Sequence, residues 1–196
     1  MRRFRVRANR KENNLMNKRN FITILSASLL TAAAFAKNPM VGGKEMFPTK
    51  NIVENAVNSA DHTTLVAAVK AAGLVDTLTS AGPFTVFAPT NAAFGKLPAG
   101  TVETLLKPEN KAMLTKILTY HVVAGKMSSG DVKKAIKMGG GKATLKTVAG
   151  GNLMAMLDGN MIVLTDEKGG MSKVTQANVF QSNGVIHVVD SVVLPN

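Results

Sequence analysis

The chain has 196 residues, a formal net charge of +12, no Cys or Trp and a single Tyr. Eight of its 24 basic residues and one of its 12 acids fall within residues 1–20, so residues 37–196 keep 16 Lys and 11 acids, a net of +5, and no Arg. Lacking Arg forks and aromatic stacking platforms, that part is not built to read nucleic acid, and lacking Cys it has to stand on packing without disulfides or a cysteine-borne lipid anchor.

The basic start is followed by the apolar run Phe21 to Ala36, which closes on Ala34-Phe35-Ala36 before Lys37. The run falls short of the ~20 residues that cross a bilayer. Charged start, short apolar middle and small-residue exit predict a secretory signal peptide over residues 1–36, cleaved between Ala36 and Lys37. Met16-Asn-Lys-Arg-Asn begins a leader of ordinary length by itself, so Met16 is the expected start of translation. Residues 37–46, with Pro39, Gly42 and Gly43, have no period and read as a linker; the loose character runs on to Lys50. Residues 47–196 are then one domain, and about 145 residues suffice for an ordinary core.

Asn51 to Ser59 predicts a helix with Ile52, Val53, Ala56 and Val57 on one stripe. Asp61 is placed to cap the next helix, which buries Leu65, Ala68, Val69 and Ala72 and stops at Gly73. Leu74 to Leu78 is one more short helical turn. Phe84 to Ala88 is a strand halted by Pro89, after which Thr90 caps a short helix through Phe94. Thr101 is expected to cap another through Leu106, with Glu103 in its first turn. Pro108 opens a longer helix that turns Met113, Leu114, Ile117 and Leu118 inward. Tyr120 to Val123 leaves it as a strand. Ser128 and Asp131 form a capping box for a helix ending near Met138.

The Gly139 to Lys142 connector marks a change to a β half. Strands are expected at Thr144–Val148, Leu153–Leu157, Met161–Asp166, Lys173–Gln176 and Gly184–Leu194, with a hairpin turn at Asp158-Gly159. The closing run, from Asn183 to Pro195, is almost unbroken in apolar residues and predicts a strand buried on both faces, so the fold should need its last residues. Helices first and strands after argue an α+β fold.

The chemistry-bearing residues are few. His62, His121 and His187 lack ligand spacing to acids or to each other, so no metal site is expected. His187 and Asp190 lie three apart and should point to opposite faces of a strand. Ser128 and Ser129 lack a nucleophile frame, and Gly139 to Lys142 runs from helix to strand, the reverse of a phosphate loop. No catalytic set and no cofactor motif can be assembled. Nine Met lie in residues 37–196, including Met154, Met156, Met161 and Met171. Thioethers suit Cu(I), but these Met have no His or Cys companions; adaptable core filler or an apolar binding surface is the plainer reading, and a Met-lined cleft for a lipid or carotenoid-like molecule is preferred to copper.

Three segments together resemble the fasciclin (FAS1) domain: Thr85-Val-Phe-Ala-Pro-Thr-Asn-Ala-Ala-Phe94, the pair Tyr120-His121, and Asn183 to Pro195. Their order and spacing match that family over about residues 45–196. The resemblance implies a β-sandwich or wedge with a packed layer of short helices, in an exported adhesion or interaction protein of the cell surface, periplasm or medium. It implies contact with a protein or matrix partner, for which Tyr120, His121, Thr90 and Asn91 are the candidate residues. Phe84, Phe87, Pro89, Phe94, His187 and Asp190 are the expected structural members of the motifs. The second reading, carriage of an apolar small molecule, stands beside it.

Overall fold

The computed structural model describes residues 38–196. The expected leader, Met16 and the Ala36–Lys37 junction lie outside the described residues. A two-stranded ribbon, β1 (Met40–Val41) and β2 (Lys44–Glu45), comes first. It is followed by α1 (Ile52–Asn58), α2 (Thr63–Ala72), α3 (Val75–Thr79), β3 (Phe84–Pro89), α4 (Asn91–Gly95), α5 (Thr101–Leu106), α6 (Lys111–Tyr120), β4 (Val122–Ala124) and α7 (Ser129–Met138). Then come β5 (Lys142–Lys146), β6 (Asn152–Asp158), β7 (Met161–Thr165), β8 (Met171–Gln181) and β9 (Gly184–Val189). The order confirms the α+β reading, with helices mostly before strands.

Seven strands form one sheet in the order β4-β3-β9-β8-β7-β6-β5. Every neighbouring pair is antiparallel except β3 and β9, which run parallel from Phe84↔Gly184 to Pro89↔Val189. The sheet curls until its edges meet. Val123 bridges to Thr147, and the Val148 amide donates to the Val122 carbonyl at 2.8 Å. Near-closure removes the exposed edges that would otherwise invite pairing with another chain.

Two cores follow from this curl. Outside it, α1, α2, α3, α5 and α6 pack Ile52, Leu65, Val69, Leu78, Leu114 and Leu118 against Val86, Ile186 and Val188. Inside it, α7 sets Val132 and Ile136 over Leu145, Leu153, Leu164 and Phe87. Strand β9 belongs to both cores, and all six of its residues are buried. That is why its sequence does not alternate, whereas β5, with one wet face, does.

Asn183 joins the helical and sheet layers. Its Oδ1 accepts from the Ile52 amide at the start of α1 (3.0 Å), and its Nδ2 donates to the Leu78 and Ser80 carbonyls at 2.8 and 2.9 Å. The next residue has to be small, because a Cβ on Gly184 would sit 2.2 Å from the Phe84 carbonyl oxygen.

Several local expectations are corrected. The segment read as a linker carries β1 and β2, and Val41 and Met46 are buried in the outer core. In α1 the inward place expected for Val57 is taken by Asn55, which exchanges two hydrogen bonds with the Phe47 backbone while Val57 faces solvent. Asp61 lies inside a 3-10 turn and caps nothing. Gly100, at φ 80°, takes the cap position expected for Thr101. Met113 is exposed: the inward stripe of α6 is Leu114, Ile117, Leu118 and Tyr120, and Met113 falls outside it. Tyr120 ends that helix and His121 caps it, so the strand starts at Val122. Strand β5 starts at Lys142 and stops at Lys146 rather than spanning 144–148. Strand β8 runs to Gln181 through two register shifts whose polar residues mask the period. Strand β9 ends at Val189, and Asp190 turns away to accept from the Lys173 amide.

Replacing Asn183 by Ala strands one buried donor and two acceptors. At about 1–3 kcal/mol for each unsatisfied group that water cannot reach, Asn183→Ala is expected to cost about 3 kcal/mol in denaturant unfolding. A loss below about 1 kcal/mol would contradict the bridging role.

Candidate functional site

The strand-to-helix corner after β3 forms as the sequence predicts. Pro89 closes the strand, and Thr90 Oγ1 accepts from the Ala93 amide at 3.2 Å. Asn91 is fully engaged. Its Oδ1 accepts from the Thr64 amide (3.0 Å) and the Thr63 hydroxyl (3.2 Å), and its Nδ2 donates to the Ala60 carbonyl (2.9 Å). Asn91 therefore supplies the cap of α2 that Asp61 was expected to give. Phe87 and Phe94 are buried and Phe84 half-buried, which anchors the corner. Thr90 and Asn91 keep part of their surface in solvent.

Tyr120 and His121 are buried, at 0% and 2% exposure. The Tyr120 hydroxyl donates to the Asn152 carbonyl at 2.6 Å and accepts from the Glu167 amide at 3.3 Å. His121 Nδ1 lies 2.8 Å from the Ile117 carbonyl, which can only accept, so that nitrogen carries the proton; Nε2 then accepts from the Val193 amide at 3.2 Å. Both side chains are enclosed by backbone, and neither offers an atom to a partner in this fold.

His187 is handled the same way with the opposite tautomer. Nε2 donates to the Met127 carbonyl (2.9 Å) and Nδ1 accepts from the Asn178 amide (3.3 Å), while the ring stacks on Phe87 with centroids 5.6 Å apart. His62 Nδ1 meets the Ser59 hydroxyl at 2.8 Å, and its Nε2 faces the Ala88 carbonyl without a hydrogen bond of good geometry. The three imidazoles lie on different elements and do not converge. Among the described residues no group of three His, Cys, Asp or Glu could hold a metal ion. His187 and Asp190 do not meet. Burial pushes the Asp190 carboxyl up, but the Lys173 amide, the Lys96 ammonium at 3.2 Å and the Ser191 hydroxyl outweigh it and hold it below the ordinary range.

Sequence reasoning missed three polar anchors. Asp166 accepts from the amides of Lys168, Gly170 and Leu194. Asn178, at φ 62°, accepts from the Ser129 amide and donates to its hydroxyl. The Thr85 hydroxyl donates to the Gly125 carbonyl and accepts from the Met127 amide. Only the Asp166-Glu-Lys-Gly-Gly170 turn carried a local signal.

No Met-lined cleft is seen among the described residues. An apolar cavity of about 50 Å³ lies between β3, β9 and the helices α1 and α2, and of the methionines only Met46 lines it. A site for a drug-sized molecule takes roughly 300–1,000 Å³. Met154, Met156, Met161 and Met171 stand on the outer face of the sheet instead.

The model of the fasciclin domain matches residues 60–195. Protein sll1483 of Synechocystis is 50% identical over 146 residues, covering 74% of this chain and 73% of that one. The immunogenic protein MPB70 of Mycobacterium bovis is 40% identical over 145 residues, covering 71% and 66%. A solved FAS1 domain pair from the insect cell adhesion molecule fasciclin I superposes with a TM-score of 0.66 at 19% identity, over 75% of this chain and 51% of that one.

The buried imidazoles make stability depend on pH. Burial, opposed by the Ile117 carbonyl and by Asp166, pushes His121 down to about 4, and burial likewise lowers His62 and His187. The unfolded chain takes up these protons near pH 6.5, while folded His121 resists until about pH 4. Between those values protons favour the unfolded state. The contribution of His121 is full above about pH 6.5 and falls on acidification by roughly 1.4 kcal/mol per pH unit until about pH 4, and His62 and His187 act in the same direction. The Tm of His121→Gln is expected to fall less steeply than wild type between pH 6.5 and about 4.5. Equal slopes would contradict the assignment.

Proposed function

The chain belongs to the fasciclin-domain family, and on that footing we propose that it is an exported, non-enzymatic protein of cell-surface adhesion that binds a protein or matrix partner. The observation that supports this reading is how the polar residues of its motifs are used. Tyr120, His121 and His187 spend their donors and acceptors on backbone, and Asn91 caps a helix. A general base needs an imidazole or carboxylate free to reach a substrate; His121 and His187 are committed to backbone, and His62, whose Nε2 has no partner, is buried at 3% exposure. The motifs hold a surface in shape, and the surface makes the contact. Within it, the half-exposed corner of Thr90 and Asn91 is the proposed contact, and the buried Tyr120 and His121 serve the fold rather than touching the partner. The relative described as a cell adhesion molecule and the leader read from the sequence support an extracellular or envelope setting.

Capture of intact producing cells or their matrix by the immobilised protein tests this reading. Retention should rise with coating density and persist at about 1 M salt, where the Debye length is about 3 Å and charge alone no longer attracts. Retention no greater than on an unrelated protein of equal net charge would overturn it.

A further inference from the structure

The sequence scatters the methionines, and the strand register collects them. Met154 and Met156 are two positions apart in β6, so both point to the outer face, about 7 Å apart along the strand. The register pairs Met154 with Thr165 of β7 and Thr165 with Met171 of β8. Met171 thus lies in the same row as Met154, two strand spacings or about 10 Å away. Met161 is opposite Asp158, one diagonal step from Met156. Met154, Met161 and Met171 are 37%, 46% and 66% exposed.

These side chains do not fill the core, because Leu153, Ala155, Ile162 and Leu164 do so on the opposite face. Nor is the outer face generally apolar. Its outward positions on β5, β6, β7 and the first half of β8 are Lys142, Thr144, Lys146, Asn152, Asp158, Thr165, Lys173 and Thr175, and over that stretch its apolar members apart from Val163 are all methionine. A surface chosen for apolar contact alone would draw on Leu, Ile and Phe as readily. What Met adds is a soft, polarisable sulfur on a flexible stem. In the middle of the row the Thr165 hydroxyl is buried without a hydrogen-bond partner. On that face Lys173 is paired with Asp158 at 3.1 Å, and Lys142 of β5 stands opposite Met156.

We propose that Met154, Met156 and Met171 form a thioether site on the outer face of β6–β8 for a soft monovalent cation, Cu(I). Thioethers select Cu(I) over the divalent ions that prefer nitrogen and oxygen donors, and the strand register supplies the companions that the linear sequence lacked, as further thioethers rather than His or Cys. Met154-Ala-Met156 supplies a pair from one strand, and Met171 reaches over Thr165 as the third donor. Met161 stands at the rim. The site is independent of the adhesion reading, since it involves neither the Thr90 corner nor the buried histidines.

The test uses the purified protein without oxygen, with Cu(I) partitioned against bathocuproine disulfonate, and Ag(I) as a redox-inert probe of the methionine methyl NMR signals. The protein is expected to withdraw Cu(I) from the chelator, and Met154→Leu/Met156→Leu/Met171→Leu to bind at least tenfold more weakly. Leu conserves apolar volume, so the variant should melt as wild type does. Met113→Leu/Met138→Leu, exposed elsewhere, should bind as wild type does. Ag(I) should shift the signals of Met154, Met156 and Met171. No withdrawal of Cu(I), undiminished binding by the triple variant, or Ag(I) shifts confined to Met40, Met113 and Met138 would each overturn the proposal.

Discussion

The parallel pairing of β9 with β3 brings together residues 100 positions apart, Phe84 with Gly184 through Pro89 with Val189. Such a contact is not made locally, because the loop entropy between the strands has to be met before the pairing returns any free energy. The structure concentrates its buried polar bonds on this junction. Asn183 fixes the strand's entry to α1 and α3, and His187 fixes its middle to the Met127 carbonyl and the Asn178 amide. Beyond the strand, the Val193 and Leu194 amides are received by His121 and Asp166. Both cores meet on β9, so the helical layer and the curled sheet depend on one strand.

This arrangement changes what the family motifs mean for function. A conspicuous Tyr-His pair invites assignment as a binding site. Here both side chains lie under the surface, between α6, the 147–152 turn and the tail that follows β9. Their cost of burial is offset by complete hydrogen bonding, and a half-satisfied version would be worse than an apolar core. The same holds for Asn91 and Asp166. In this chain the polar residues of the motifs are the donors and acceptors that the fold needs at those places.

Much of the fold was legible from residues alone. The capping box at Ser128 and Asp131, the α2 stripe ending at Gly73, the corner at Pro89 and Thr90, and the doubly buried last strand all follow from local rules, and all appear. What was not legible depends on partners distant in sequence. Asn91 caps a helix 27 positions away, so α2 showed no cap of its own. Val41 and Met46 are buried by helices that the Pro- and Gly-rich segment gives no hint of. Met113 and Val57 obey the helical period but sit where no neighbour covers them. The clustering of the methionines is likewise a matter of register: Met154 and Met171 are 17 positions apart in the chain and flank one threonine in the sheet.

Native-state hydrogen exchange on the intact protein tests most directly whether β9 is the element on which the rest depends. Amides that open only with the whole molecule exchange at the global unfolding free energy. The account predicts that the amides of Val185 to Val189 belong to that slowest class together with those of β3. Exchange of the β9 amides in a smaller opening, ahead of β6 and β7, would contradict it.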